Sequence, residues 1–132
     1  AAAEVPEIHG DPDTLRCLLA PAAYRKGPGP REQFAPIEQA LFGGRELVFG
    51  GGFYRPDHAG YNPLADVARL ADYLGLIDPA RWSPTDLNDL RGPTTDEERA
   101  EELDFAREWF PPLQDLYRRA ADQGQLVVCE IL

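Results

Sequence analysis

The sequence predicts a single α+β domain, with helices packed against a small mixed or antiparallel sheet. Three observations lead there. Two segments, 64–74 and 95–123, repeat apolar residues at helical spacing. The terminal run Leu126 to Leu132 (LVVCEIL) is apolar over a length that suits a strand inside a sheet. The chain has 132 residues, enough for one core, and shows no linker and no internal repeat. The domain is therefore expected to span 1–132, with 1–13 as an irregular lead-in.

Each element has its own signal. Residues 1–14 are polar and rich in Asp, Glu and Pro, as in a tail. Thr14 to Ala23 reads as a short helix. Leu15, Leu18 and Leu19 share a face there, Cys17 lies near it, and Pro21 limits its run. Tyr24 to Arg31 (YRKGPGPR) holds two glycines and two prolines in eight residues, which predicts a loop. It also carries the chain's basic patch, Arg25, Lys26 and Arg31. Glu38 to Leu41 reads as helix after Pro36, and Phe42-Gly43-Gly44 stops it. Glu46 to Phe49 reads as a strand running into Gly50-Gly51-Gly52. Phe53-Tyr54 extend it or open the next strand, and Arg55 to Gly60 is a loop.

Asn62 suits a helix cap and Pro63 a first helical position. Leu64, Val67, Leu70, Ala71 and Leu74 then form an apolar stripe, and Gly75 suits a left-handed stop. Asp78-Pro79 and Ser83-Pro84-Thr85-Asp86 open two short helical turns. Thr95 and Glu98 make a capping box for the last helix. Ala106, Trp109, Phe110, Leu113, Leu116, Tyr117 and Ala120 share one of its faces, and Gly124 ends it. Pro111-Pro112 predicts a kink or a division into two helices. Trp82, Trp109, Phe110 and Tyr117 are expected as core anchors.

Composition excludes several functions. The net charge is −10 and the pI near 4.5, which argues against nucleic acid and against an anionic membrane surface. It leaves a basic protein as a fitting partner, with solubility alone as the plain alternative. No apolar run approaches the roughly 20 residues of a membrane span, and the first residues lack the pattern of a signal peptide. Cys17 and Cys129 belong to no zinc spacing. Reduced, buried thiols in a cytoplasmic protein are expected, with a single disulfide as the alternative for an exported chain.

Two sets of residues are candidates for function. The first is an acidic stretch in which Glu97, Glu101, Asp104 and Glu108 fall at helical spacing on one face. A docking face for a basic partner and a merely solvated helix face both fit it. The second is the 50–61 loop, where Tyr54, Arg55, Asp57, His58 and Tyr61 offer polar groups for a small enzyme or small-molecule site. Asp57 beside His58 has the form of a carboxylate-oriented base, although adjacency in sequence does not place the side chains in contact. A metal site from His9 and His58 with Asp11, Asp13 or Asp57 lacks ligand spacing. The glycine clusters lack the pattern of a phosphate-binding loop. No metal, no cofactor and no catalytic residue is expected.

Several segments together resemble the YfbM-like family, the DUF1877 domain. They are Ala40-Leu41-Phe42-Gly43-Gly44-Arg45-Glu46, then Gly60-Tyr61-Asn62-Pro63 with the helix to Leu74, then Ile77-Asp78 and Arg81-Trp82. The last is Trp109-Phe110, Leu113, Leu116 to Ala121 and Gly124, feeding the terminal strand. The likeness runs in order over about 37–132. The N-terminal part departs from the pattern, lacking the family's opening glycine- and methionine-containing strand. The resemblance implies a compact α+β domain and no established reaction. The functional expectation is a non-catalytic, immunity- or inhibitor-like protein-binding module, monomeric or a homodimer.

Overall fold

The structure, a computed structural model, describes residues 2–4, 12–27, 29–47 and 58–131. It is a single α+β domain, built on a four-stranded sheet in the order β1-β4-β3-β2. Strand β4 (Leu126–Ile131) pairs antiparallel with β3 (His58–Asn62), with Gly60 opposite Cys129 and Asn62 opposite Val127. Strand β2 (Arg45–Glu46) runs antiparallel to β3. Strand β1 (Ala2–Glu4) runs parallel to β4 at the other edge, so the sheet is mixed. The lead-in expected to be irregular therefore contributes a strand. The apolar β4 lies inside the sheet, as its composition predicts. His58 to Gly60, expected in a loop, are the first residues of β3.

Among the described residues, five helices supply the rest of the core. The expected helix over 14–23 is two: α1 (Asp13–Leu19) and α2 (Pro21–Lys26), broken at Ala20. Pro21 cannot donate to a preceding turn, so it starts a helix rather than continuing one. Tyr24, Arg25 and Lys26, expected in the loop, close α2, and Arg31 sits in a short 3-10 turn, Arg31–Gln33. Helix α3 (Pro36–Phe42) starts with Pro36 in its first turn, and Glu38 accepts the Ala35 N–H at 3.0 Å. It stops at Gly43, whose φ of +83° a side chain rarely adopts.

Helix α4 (Leu64–Gly75) buries Val67, Leu70, Ala71 and Leu74, the stripe read from the sequence. Its ends differ from expectation. Pro63 is the capping position, and Gly75 is the last helical residue rather than a left-handed stop. Two 3-10 turns, Pro79–Arg81 and Pro84–Leu87, follow as predicted, the first capped by Asp78 accepting the Ala80 N–H. Helix α5 (Asp96–Gln123) is capped by Thr95 Oγ1, which accepts the Glu98 N–H at 3.1 Å. Gly124, in the left-handed conformation, ends it.

Pro111-Pro112 does not divide α5. Both prolines face solvent, whereas Phe110 and Leu113 on either side are buried in the core. Side chains of α5 also fasten it to the segment after α4. Gln114 Nε2 donates to the Leu74 and Ile77 carbonyls, and Arg107 donates to those of Pro79 and Trp82. Packing and these bonds outweigh the amide donors that two prolines lack. The core joins all five helices to one sheet face, from which Val127 and Cys129 project. Trp82, Phe110 and Tyr117 are buried in it as expected, with Trp82 and Phe110 edge to face, while Trp109 is half-buried.

Candidate functional site

The first half of α5 concentrates charge. Residues 96–108 contain seven carboxylates against two guanidiniums, half of the net −10 of the chain. Asp96, Glu97 and Glu98 lie in the first turn, where the helix dipole favours negative charge. Glu101, Asp104 and Glu108 lie beyond its reach. Glu97, Glu101 and Glu108 are all exposed, as the helical spacing predicts. Arg99 pairs with Asp96 at 2.8 Å, and Arg107 approaches Asp104 at 3.8 Å. Among the described residues, no ion pair involves Glu97, Glu101 or Glu108. Glu97 and Glu101, four residues apart, repel one another.

A hollow of about 300 Å³ adjoins this face, between the start of α1 and the start of α5. Glu98, Glu101 and Glu102 line it with Thr14, Leu90 and Arg91. Thr14 is buried and its hydroxyl donates to Glu102 at 3.4 Å. Arg91 is held at the backbone, where its N–H donates to the Tyr24 hydroxyl. Three carboxylates around one guanidinium leave the hollow acidic. Glu101 belongs to both the helix face and the rim of the hollow, so flat and concave surfaces meet there.

Of the second candidate set, Tyr54, Arg55 and Asp57 lie outside the described residues, as do His9 and Asp11. His58 opens β3, and Tyr61 is half-buried on the same strand, opposite Arg45 and Val128. Asp13 is engaged in an ion pair with Arg16 at 2.7 Å. Among the described residues, no group of three or more His, Cys, Asp or Glu is placed to hold a metal ion. Nor is any described helix long and apolar enough to cross a membrane. The expected basic patch is dispersed: Arg25 pairs with Asp89, while Arg31 turns inward.

The most organised polar cluster lies where sequence reasoning expected a helix cap. Asn62 is fully buried at the end of β3. Its Oδ1 accepts the Gly44 N–H at 2.8 Å, and its Nδ2 donates to the Gln39 carbonyl at 2.8 Å and to the Tyr117 hydroxyl at 3.0 Å. Tyr117 in turn donates to the Ala40 carbonyl at 2.7 Å, which also receives the Cys129 thiol. One amide thus ties the end of α3, β3 and α5 together. Arg31 closes the same region, donating to the carbonyls of Phe42, Gly43 and Ala59. Gly60 admits this arrangement, since a Cβ there would collide with the Phe42 carbonyl and the Arg31 guanidinium. The glycines at 43, 44 and 60 were the available sequence signal.

Burial sets the titration of these groups. It pushes the Tyr117 hydroxyl well up and the Cys129 thiol up to about 12. Cys17, free and buried like Cys129, is raised for the same reason, so neither thiol is an activated nucleophile. A second buried charge cluster joins Arg16, 9 % exposed, to Glu38, 5 % exposed, at 3.0 Å. Burial alone would lower the Arg16 value, but Asp13 and Glu38 outweigh it and hold the guanidinium charged. These clusters are enclosed and serve the fold. The acidic face and its hollow are open to solvent. Compared with models of known families, with characterised proteins and with solved structures, the chain matches none.

Proposed function

We propose that the chain is a DUF1877-like, non-catalytic protein-binding module of the immunity or inhibitor kind, acting in the cytoplasm. Its docking face for a basic partner is the first half of α5. The observation that carries this reading is the placement of Glu97, Glu101 and Glu108, exposed and free of ion pairs among the described residues, beside an acidic hollow. A solvated helix needs no such imbalance, and alternating signs would stabilise it better. A partner's Lys and Arg side chains would neutralise the repulsion and gain from steering at long range. Burial raises both thiols, which gives a cysteine nucleophile no support.

The test compares the wild type with the charge-reversed variant Glu97→Lys/Glu101→Lys/Glu108→Lys. Each is used to retain proteins from a lysate of the source organism at low and moderate salt. A basic protein held by the wild type, lost by the variant and released as salt rises is the expected result. The same proteins retained by both would overturn the reading.

A further inference from the structure

We infer that the outward face of α5 takes an arginine side chain of its partner, stacked on the ring of Phe105. This deepens the proposed function and rests on it. Among the described residues, Phe105 is the exposed large hydrophobic of α5, at 38 %; the other two, Leu64 and Leu76, lie at the ends of α4. It follows Glu101 by four residues and precedes Glu108 by three, so a carboxylate lies about one turn away on either side. The half-buried Trp109 is four residues further on.

An aromatic ring among carboxylates restricts what can cover it. A purely apolar partner would strip water from Glu101 and Glu108 without replacing their hydrogen bonds, a large cost for ionised groups. An anionic partner is repelled. A cation satisfies the carboxylates and is also attracted to the electron-rich ring face. Between the two basic side chains, the guanidinium fits better. It is planar, less strongly hydrated than an ammonium, and able to stack on a ring while donating to a carboxylate in its own plane. Repulsion between carboxylates and exposure of a ring are separate costs in the free chain, and one ligand chemistry relieves both.

The experiment measures binding of fluorescently labelled hexa-arginine and hexa-lysine to the full chain at low salt, by anisotropy. The wild type, Phe105→Leu and Glu101→Gln/Glu108→Gln are compared, and circular dichroism confirms that each is folded. Phe105→Leu should lower the arginine-to-lysine affinity ratio by about two- to fivefold, because leucine keeps the bulk and loses the ring. The Gln variant should weaken both peptides. An unchanged ratio in Phe105→Leu overturns the stacking proposal and leaves the acidic face standing. Undiminished affinity in the Gln variant, or no binding to the wild type, overturns both.

Discussion

The first half of α5 carries seven carboxylates and two guanidiniums, while the second half, 109–123, carries two of each. The first half turns Glu97, Glu101 and Glu108 to solvent. The second sends Tyr117 into the core, where its hydroxyl meets Asn62 and the Ala40 carbonyl. On the proposed reading, one continuous helix does two jobs. Its C-terminal half is fixed by enclosed polar bonds that few substitutions could preserve. Its N-terminal half departs from what is best for an isolated helix, and the excess charge there is what a partner would read. Fold and recognition are then separable by mutation, and each half should respond in its own way.

The largest effect is expected at the enclosed end. Asn62→Leu keeps the approximate volume, leaves the Gly44 N–H without an acceptor, and removes the bonds to the Tyr117 hydroxyl and to the Gln39 carbonyl, which keeps the Gly43 N–H. Stability should fall by roughly 4 kcal/mol, from about 1–3 kcal/mol for the N–H left unsatisfied and about 1 kcal/mol for each of the two other bonds lost. Urea denaturation should show a lower midpoint with an unchanged slope. A loss below about 1 kcal/mol would mean that water replaces the amide, and that the hub is not what holds this half. Gly60→Ala comes next. Its methyl would sit 2.9 Å from the Arg45 carbonyl oxygen and closer still to that of Phe42. Backbone shifts of this kind cost roughly 1–3 kcal/mol. Peptide binding per folded molecule should stay unchanged in both variants; a loss of binding would erase the separation between the halves.

These two residues also mark the limit of what the sequence disclosed. Helices α4 and α5 were legible because their apolar stripes recur every three or four residues, and Thr95 and Gly124 mark their own boundaries. Strand β4 was legible from its apolar run. Asn62-Pro63 was misleading, because Asn before Pro is also the signature of a helix start. What makes Asn62 a core residue is Tyr117, 55 positions away, and no local pattern carries that distance. Strand β1, with two alanines, and β3, with His-Ala-Gly-Tyr, have little intrinsic strand preference. Their pairing with β4 imposes the conformation. The exposure of Glu97, Glu101 and Glu108 followed from spacing alone. The adjoining hollow did not, because α1 and the 90–93 segment close it from distant parts of the chain.

A pH titration sharpens the contrast further. Burial raises the Cys129 thiol from its ordinary 9.0 to about 12, and raises Cys17 in the same direction. Well below pH 9, both thiols are protonated whether the chain is folded or not, and their contribution to stability is complete. Above pH 9 the unfolded chain releases thiol protons that the folded one retains, so stability falls with rising pH, through the folded value near 12 for Cys129. For one thiol the slope approaches about 1.4 kcal/mol per pH unit. Cys129→Ala should make the decline between pH 9 and 10 visibly shallower in urea melts, with Cys17 and, as pH nears 10, the buried Tyr117 and half-buried Tyr73 hydroxyls supplying what remains. An identical decline in the variant would place Cys129 in contact with solvent and contradict the enclosure of the hub.

The smallest effect is expected on the acidic face, and its sign matters more than its size. Glu97 and Glu101 repel at i, i+4, and Glu101 gains nothing from the helix dipole. Glu101→Gln should therefore leave the fold intact and raise stability at low salt by a few tenths of a kcal/mol. The gain should shrink as salt screens the repulsion it relieves. Thermal melts of wild type and variant at two ionic strengths would resolve this. A stabilised variant that binds cationic peptides less well places the carboxylate where stability yields to recognition. A destabilised variant would instead make Glu101 part of the fold, joined through the hollow to Thr14 and α1, and the division of α5 into a structural and a recognition half would have to move toward its N-terminus.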